Sequence, residues 1–509
     1  MTDVISNGAA QEPREGPASL AAMAVGPVPK PRWGTHSGAA VGLLFHRALA
    51  AVFLVAWLSL ASQILVLVGS RGLLPLVDFV AAARADGALS FRTFPSLLAW
   101  MPGDRPLFWG TLVGAAVSLV ALSGARPRLC AAFQTVWYLG YVTICRDFLG
   151  FQWDNLLLEC GLLATFLPAH RPAPLAHLML RALLFKLYFE SGLAKWQSPL
   201  HDWRDGSAMS FYYETAPLPT ALAWYAHHLP RGWHAFESYA TLAMELVLPF
   251  GIFGPRRIRL GTAALLTLFQ VINAATANYA FFCYLTMALH VFLLDEHDVT
   301  AIGKWRRRPK RAIANGPPGL RRPIRVAAWV GAGLWAFVSL TEAWFHFGEP
   351  SGEAATILVP VLEWSQTFRV VNAFHLFAAV TRERIEPEVQ LLHHGVWTAQ
   401  YFKFKPGDPA RAPRLVAPHQ PRVDFLLWFY GLSYQRRQPA YVAALQARLC
   451  DDPAAVASLF GSDLPSAPSA VRIVFWAYRF TSIAERDATG AWWTRRPLGA
   501  TQPSACDPR

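Results

Sequence analysis

The chain has 509 residues, 54% of them hydrophobic and 16% charged, where a soluble protein carries about 25% charged residues. That deficit argues against an ordinary soluble domain and for a membrane. The net charge of +13 lies largely in short basic clusters between apolar runs, the pattern that orients membrane segments, so no nucleic acid is expected as a partner.

Residues 1–39 are rich in Gly, Pro, Ala and Ser and lack the apolar stretch of a signal peptide, so they read as a disordered cytoplasmic segment. Runs of spanning length, about 17–25 residues, come next at 41–69, 106–122, 129–145, 152–168, 176–197, 233–253, 258–276, 279–294 and 324–346. Nine crossings are the best count; eight are possible, because only residues 276–280 separate the seventh and eighth runs. With the N-terminus in the cytoplasm, the inner loops 123–128, 169–174, 254–259 and 295–323 are all basic. The long loops 70–105 and 198–232 fall outside with mixed charge. The transmembrane bundle therefore occupies 40–347, and the residues beyond the ninth run are extracytoplasmic.

There the pattern changes. Residues 365–404 mix β-branched and aromatic residues with polar ones, Gly395 marks a turn, and Pro387 and Pro406 interrupt, which predicts several short strands. The stretches 423–432 and 439–450 have helical apolar spacing, and Asp452-Pro453 suits the start of another helix. Residues 470–481 alternate imperfectly as a last strand. The fold class is thus a polytopic α-helical membrane protein with about 8–9 transmembrane helices, then a small extracytoplasmic α+β domain at 348–482 and a disordered tail at 483–509. The six cysteines, at 130, 145, 160, 283, 450 and 506, include no CxxC pair; four lie in or beside apolar runs, and none suggests a redox motif or zinc site.

The membrane runs carry unexpected charge. Asp154 sits at the outer entrance of the fourth run, where it can reach water or cap the helix. Glu159 lies about 8 Å deeper and needs a partner. The fifth run carries Arg181 near its inner end, Lys186 near the midplane, Glu190 one turn outward and Lys195 at the outer end. Glu237 and Glu245 lie on the sixth run, and Asn273 and Asn278 flank the next outer turn. One reading pairs Lys186 with Glu190 or Glu245 to fix helix register. The other gathers Asp154, Glu159, Lys186, Glu190, Lys195, Glu245, Asn273 and Asn278 around a polar cavity open to the outside. Spacing leaves the partners open.

Lys186, Glu190, Glu245, His227 and His228 are weak candidates for acid–base catalysis. Adjacent histidines cannot turn both rings to one metal on a helix, so no metal site is expected, and no cofactor either. The segment 216–230 reads as an interfacial stretch. The chain has no GxSxG elbow, no Walker A sequence and no Rossmann fingerprint, and its hydropathy shows no inverted repeat of the transporter kind.

Seven stretches occur in a telling order: "FQWDNLLLECGLLATFLP", "LLFKLYFESGLAKW", "DWRDGSAMSFYYETAPLPTALAWYAHHLP", "ELVLPFGIFGPRR", "RVVNAFHLFAAVTRER", "YFKFKPGD" and "RLVAPHQPRVDFLLWF". In these blocks the chain resembles the lipase maturation factor family, and the resemblance extends over residues 40–480. In animals that family resides in the endoplasmic reticulum and helps secreted dimeric lipases reach active form, with its C-terminal region in the lumen. The resemblance implies a multi-pass, non-enzymatic, chaperone-like protein. Its partners would be the lipid bilayer and an exported lipase or other secreted client. Trp203, Arg204, Asp205, Tyr212, Tyr213 and Glu214 fall in the outer-loop block. The bundle is more distantly similar to the helical domain of vitamin K-dependent carboxylases. That similarity leaves an alternative, a membrane enzyme acting on a lipid or exported protein from an outward polar cavity. The Ala/Arg/Pro-rich composition suits a high-GC bacterium and no retention signal is present, so the expected location is a bacterial plasma (inner) membrane.

Overall fold

The computed structural model describes residues 38–169, 172–302, 322–434 and 436–506. The segment expected to be disordered at 1–39 lies almost wholly outside the described residues, as does most of the basic loop 295–323.

Each of the nine apolar runs forms a helix. These are α1 (Ala39–Ala61), α2 (Asp104–Leu122), α3 (Pro127–Cys145), α4 (Gln152–Thr165), α5 (Pro174–Trp196), α6 (Arg231–Leu246), α7 (Arg256–Thr276), α8 (Phe282–His290) and α9 (Arg322–Phe347). α3 and α5 open on proline, whose fixed φ suits a first helical position. Among the described residues, five are long and apolar enough to cross a membrane: α1, α2, α6 with its 3-10 continuation to Phe253, α7 and α9. α4 has 14 residues and α8 has 9, so they measure about 21 and 14 Å, short of a hydrocarbon core of about 30 Å.

The bundle has an apolar interior, from Phe45, Phe53 and Trp57 of α1 to Leu156 of α4 and Leu183 of α5, but α7 and α9 also turn polar residues inward and large apolar ones outward. On α9 the only buried residues are Ser339, Thr341 and Glu342, while Trp329, Val330, Leu334, Phe337 and Leu340 are exposed. α7 likewise buries Arg259, Thr262 and Gln270 and exposes Ile258, Leu265, Leu268 and Ile272. Apolar faces of this extent suit lipid rather than water. Helices then meet through small residues and hydrogen bonds. A Cβ at Gly114 of α2 would fall 2.2 Å from the Trp57 ring of α1. That indole donates to Gln134 Oε1 of α3 at 2.6 Å, and Gln134 donates back to the Gly114 carbonyl at 2.8 Å.

The bundle has two distinct ends. At one, Arg128 donates to the Thr165 carbonyl at 2.7 Å, Arg181 to that of Phe292 at 2.7 Å, and Arg259 pairs with Asp295 at 2.5 Å. This is the end of the basic loops. Arg181, at the inner end of its run, is thereby held by protein. The opposite end carries loops 62–103 and 197–230 and receives the C-terminal domain.

That domain begins later than expected. Residues 352–368 form a further helix, α10 (Gly352–Phe368), and 369–383 run across the bundle end before the first strand. The sheet has order β2-β1-β3-β4, all antiparallel, from β1 (Arg384–His393), β2 (Val396–Gln400), β3 (Ala470–Phe480) and β4 (Trp493–Ala500), and a short β5 (Ser504–Ala505) also pairs with β3. Pro387 does not interrupt β1. It pairs with Phe475 of β3 and precedes the first residue that β2 pairs, Val389, so its missing N–H faces an open edge. α11 (Arg422–Leu432) and α12 (Ala440–Asp451) form where the apolar spacing places them. α11 packs so closely on β1 that a Cβ at Gly431 would lie 2.1 Å from the Ile385 carbonyl oxygen.

The tail is not disordered, which corrects the expectation for 483–509 as far as Cys506. Ser482 and Glu485 form a reciprocal capping box on the helix Ile483–Thr489. β4 then completes the sheet, with Trp493 buried and stacked at 4.3 Å on Phe480. Cys506 is disulfide-bonded to Cys450 of α12. The strand escapes the sequence pattern because it is an edge strand with polar side chains and Pro497, and its apolar anchor is one tryptophan.

Candidate functional site

The chemistry of this chain concentrates where the bundle end meets the C-terminal domain. Asp154, in the first turn of α4, is fully buried rather than solvated. Its carboxylate takes both arms of the Arg422 guanidinium, at 2.5 and 2.9 Å, and accepts from Tyr138 at 2.6 Å. Arg422 also donates to the Phe148 carbonyl at 3.1 Å. Burial works against the Arg422 charge, but the Asp154 carboxylate outweighs it and holds the arginine's pKa above its ordinary value.

One and a half turns deeper, Glu159 lies 3.7 Å from Lys186 and accepts from Trp335 of α9 at 3.1 Å and Asn372 at 3.2 Å. Lys186 therefore pairs with neither Glu190 nor Glu245. Glu190 turns to the Phe374 backbone N–H at 2.9 Å. Glu245 pairs with Lys195 at 2.8 Å, and Lys195 donates to the Leu376 carbonyl at 2.8 Å.

The same logic repeats along the seam. Asp202 accepts the Val380 N–H at 2.7 Å and Glu214 that of Phe480 at 2.7 Å. The Asn278 side chain accepts from Val416 and Ala417 at 2.6 and 2.8 Å and donates to Arg414 at 2.8 Å. From the other side, Arg384 donates to the carbonyls of Glu214 and Pro217 at 3.0 and 2.9 Å and pairs with Glu386 at 2.5 Å. Side chains of the bundle thus saturate backbone groups of 372–380, 414–417 and 480, which would otherwise be orphaned by burial.

Of the eight residues expected around one outward cavity, the structure brings Glu159 to Lys186 and Lys195 to Glu245. Asp154, Glu190 and Asn278 bind the C-terminal domain instead. Asn273 joins Lys195 and Glu245 on a separate cavity between α5, α6 and α7. Among the described residues the eight side chains are spread over separate contacts, and the chain at 369–380 supplies partners to Glu190 and Lys195.

In the outer-loop block, Trp203 is buried with its indole donating to the Phe377 carbonyl at 3.2 Å. Arg204 contacts His201 and lies over Trp196, and Asp205 accepts the Ser207 N–H at 2.8 Å. Tyr212 is hydrogen-bonded to Tyr279, and Tyr213 donates to Glu237 at 2.8 Å. His227 stands 3.8 Å from Glu214, while His228 bonds the Trp224 carbonyl at 2.7 Å and packs on its ring. Burial, then the nearby His228, His234 and Arg479, pushes His227 down to about 4, so it is neutral at neutral pH. Among the described residues, no three His, Cys, Asp or Glu side chains stand together as metal ligands.

Arg422, Asn372, Arg384 and Asp202 are site residues that the sequence pattern does not single out. A signal exists for the first: a cation at the head of the apolar run "RVDFLLWF" is the counterpart of a carboxylate in the run that begins after Phe151.

A helical bundle with apolar outward faces, capped at one end by a sheet domain through buried ion pairs, defines a polytopic membrane protein with an integrally docked terminal domain. Residues 41–301 match the lipase maturation factor transmembrane domain and 370–503 the lipase maturation factor C-terminal domain, so the chain belongs to the lipase maturation factor family. It is 29% identical to lipase maturation factor 1 of Bos taurus over 90% of this chain and 87% of that protein. It is also 29% identical to lipase maturation factor 2 of Gallus gallus, over 89% and 79%, and 28% identical to lipase maturation factor 1 of Homo sapiens, over 91% and 87%. No solved structure matches the chain.

Proposed function

We propose that this protein is a maturation factor, embedded in a bacterial plasma membrane, that helps an exported lipase or another secreted client fold or assemble. The observation that carries this reading is the match of both family domains in one chain, 41–301 and 370–503, joined by the buried seam of ion pairs and hydrogen bonds. The lipase maturation factors it resembles supply the client class. The carboxylase-like enzyme alternative is not favoured, since four of its five candidate groups are tied into internal contacts, Lys186 to Glu159, Glu190 to Phe374, Glu245 to Lys195 and His228 to Trp224, and the fifth, His227, stands beside Glu214.

The sheet domain faces the extracytoplasmic side in this reading, with nine helices alternating between the two ends. Two features support it. The basic loops gather at the end opposite the domain, and the domain carries the Cys450–Cys506 disulfide, a bond of oxidising compartments.

The test pairs two measurements. Reporter fusions after residue 350 should report an extracytoplasmic location. A secreted dimeric lipase co-expressed with the full chain should gain specific activity at equal protein level, and full-length protein should capture that lipase before assembly but not after. Equal lipase specific activity with and without the chain would rule the reading out.

A further inference from the structure

A cavity of about 320 Å³ lies between α5, α6 and α7 beneath residues 376–377, a size within the range of small-ligand sites, about 300–1,000 Å³. Phe236, Leu265, Leu268 and Ile272 line it and are also exposed on the outer surface of the bundle. The cavity therefore opens sideways between α6 and α7, on a face built for lipid. Its inner wall sets a few polar groups among apolar ones. Gln270 is 3% exposed; its amide nitrogen donates to the Tyr188 hydroxyl at 2.9 Å, and its Oε1 has no hydrogen-bond partner among the described residues.

A buried carbonyl oxygen of this kind calls for a donor. The charges on the wall call for no counter-charge. Lys195 and Glu245 neutralise each other at 2.8 Å. Glu237 accepts from Tyr213 at 2.8 Å and pairs with His234 at 3.1 Å. The wall's polar groups thus suit a hydroxyl and the mouth suits a hydrocarbon chain.

We propose that this cavity binds an uncharged, hydroxyl-bearing membrane lipid of the glyceride class, its hydroxyl donating to Gln270 Oε1 and its chain leaving for the bilayer between α6 and α7. The proposal rests on the cavity alone, so its test needs no lipase client. Full-length protein in nanodiscs is irradiated with a monoacylglycerol carrying a photoreactive diazirine in its chain, and the adducts are mapped. Labelling is expected around Met244 and Leu268, above the background on the exposed face of α9. Unlabelled monooleoylglycerol should suppress it, whereas oleate and a lysophosphatidylglycerol should not. Gln270→Leu removes the acceptor and should weaken competition about tenfold, the worth of one hydrogen bond to a buried group. Ala240→Trp fills the cavity and should abolish the specific adducts. Labelling no stronger than on α9, equal competition by charged lipids, or unchanged adducts in both variants at wild-type unfolding temperature would each overturn the assignment. Should a variant not fold, the competition series on the wild-type protein decides.

Discussion

Asp154 and Arg422 are 268 positions apart and meet as a bidentate pair at 2.5 and 2.9 Å, both buried. The pair stitches α4 to α11, and so bundle to sheet domain. Removing one partner leaves a buried charge uncompensated, a loss of about 3–5 kcal/mol. Arg422→Ala and Asp154→Ala should each lower the unfolding temperature of the detergent-purified protein steeply. The double variant Asp154→Ala/Arg422→Ala should lose much less than the sum of the two, since no lone charge remains. Additive losses in this cycle would show that the two groups do not interact.

Gly114 tests the packing of the bundle independently of the seam. Its missing side chain admits the Trp57 ring, which a Cβ would meet at 2.2 Å. Gly114→Val should separate α1 from α2, break the Trp57–Gln134 hydrogen bond and reduce the folded fraction recovered from membranes. Overpacking of this kind costs about 1–3 kcal/mol or more. Gly333 of α9 is the control, since nothing lies within 4 Å of a Cβ there. Gly333→Val should behave as wild type, and equal losses at both sites would contradict this packing.

How far the sequence reveals this structure depends on whether the information is local. The nine helices are legible because each is a contiguous apolar run, and α11 and α12 because their spacing is helical. The pairing of Lys186 with Glu159, not with Glu190, is illegible because two of Glu159's contacts, Trp335 and Asn372, come from other elements. Local spacing puts Glu190 within reach of Lys186, but a backbone N–H at Phe374 claims it. α10 is hard to read because it contains Pro360 and polar residues where strands are expected. β4 is hidden because an exposed edge strand has little apolar pattern.

Asp424 gives the domain a dependence on pH. It accepts the backbone N–H groups of Phe404 and Lys405, both at 2.9 Å, yet burial pushes its carboxyl up to about 6 against those amides and the Lys405 charge. An unfolded aspartate titrates near 3.9. Between the two values the folded state binds the proton more tightly, so the Asp424 contribution to stability falls as pH rises from about 4 to about 6. It is constant on either side, and the span is on the order of 3 kcal/mol. Relative to Asp424→Asn, the wild-type unfolding temperature should decline across that window and stay level above it. A parallel pair of pH profiles would refute the shift.

His419 works in the opposite sense at the seam, where its Nδ1 lies 2.9 Å from the Ser59 hydroxyl of α1. Burial, then Arg422 and Lys403, pushes its pKa down to about 4. The unfolded chain protonates near 6.5, so this contribution is present above 6.5 and is lost as pH falls toward 4. His419→Gln should abolish that part of the acid sensitivity, seen as a flatter fall in unfolding temperature from pH 6.5 to 4.5 than in the wild type. An unaltered slope would mean the ring does not titrate on unfolding.

The Cys450–Cys506 bond ties the end of the tail to α12 across 56 positions, while Cys130, Cys145, Cys160 and Cys283 are free and buried. Alkylation of the denatured, unreduced protein should therefore modify four cysteines, and six after reduction. Closing a loop of this length stabilises by about 4 kcal/mol in the chain-entropy account. Cys506→Ser should thus lower the unfolding temperature and expose the sites after β4 to protease, while α1–α9 stay folded. The bond also reports on location. Expressed without its bundle in a reducing cytoplasm, the domain should show both thiols, whereas full-length protein taken from the membrane should show neither. Two free thiols in the membrane-inserted protein would place the domain in the cytoplasm, because an exported domain has an oxidising compartment in which this pair closes.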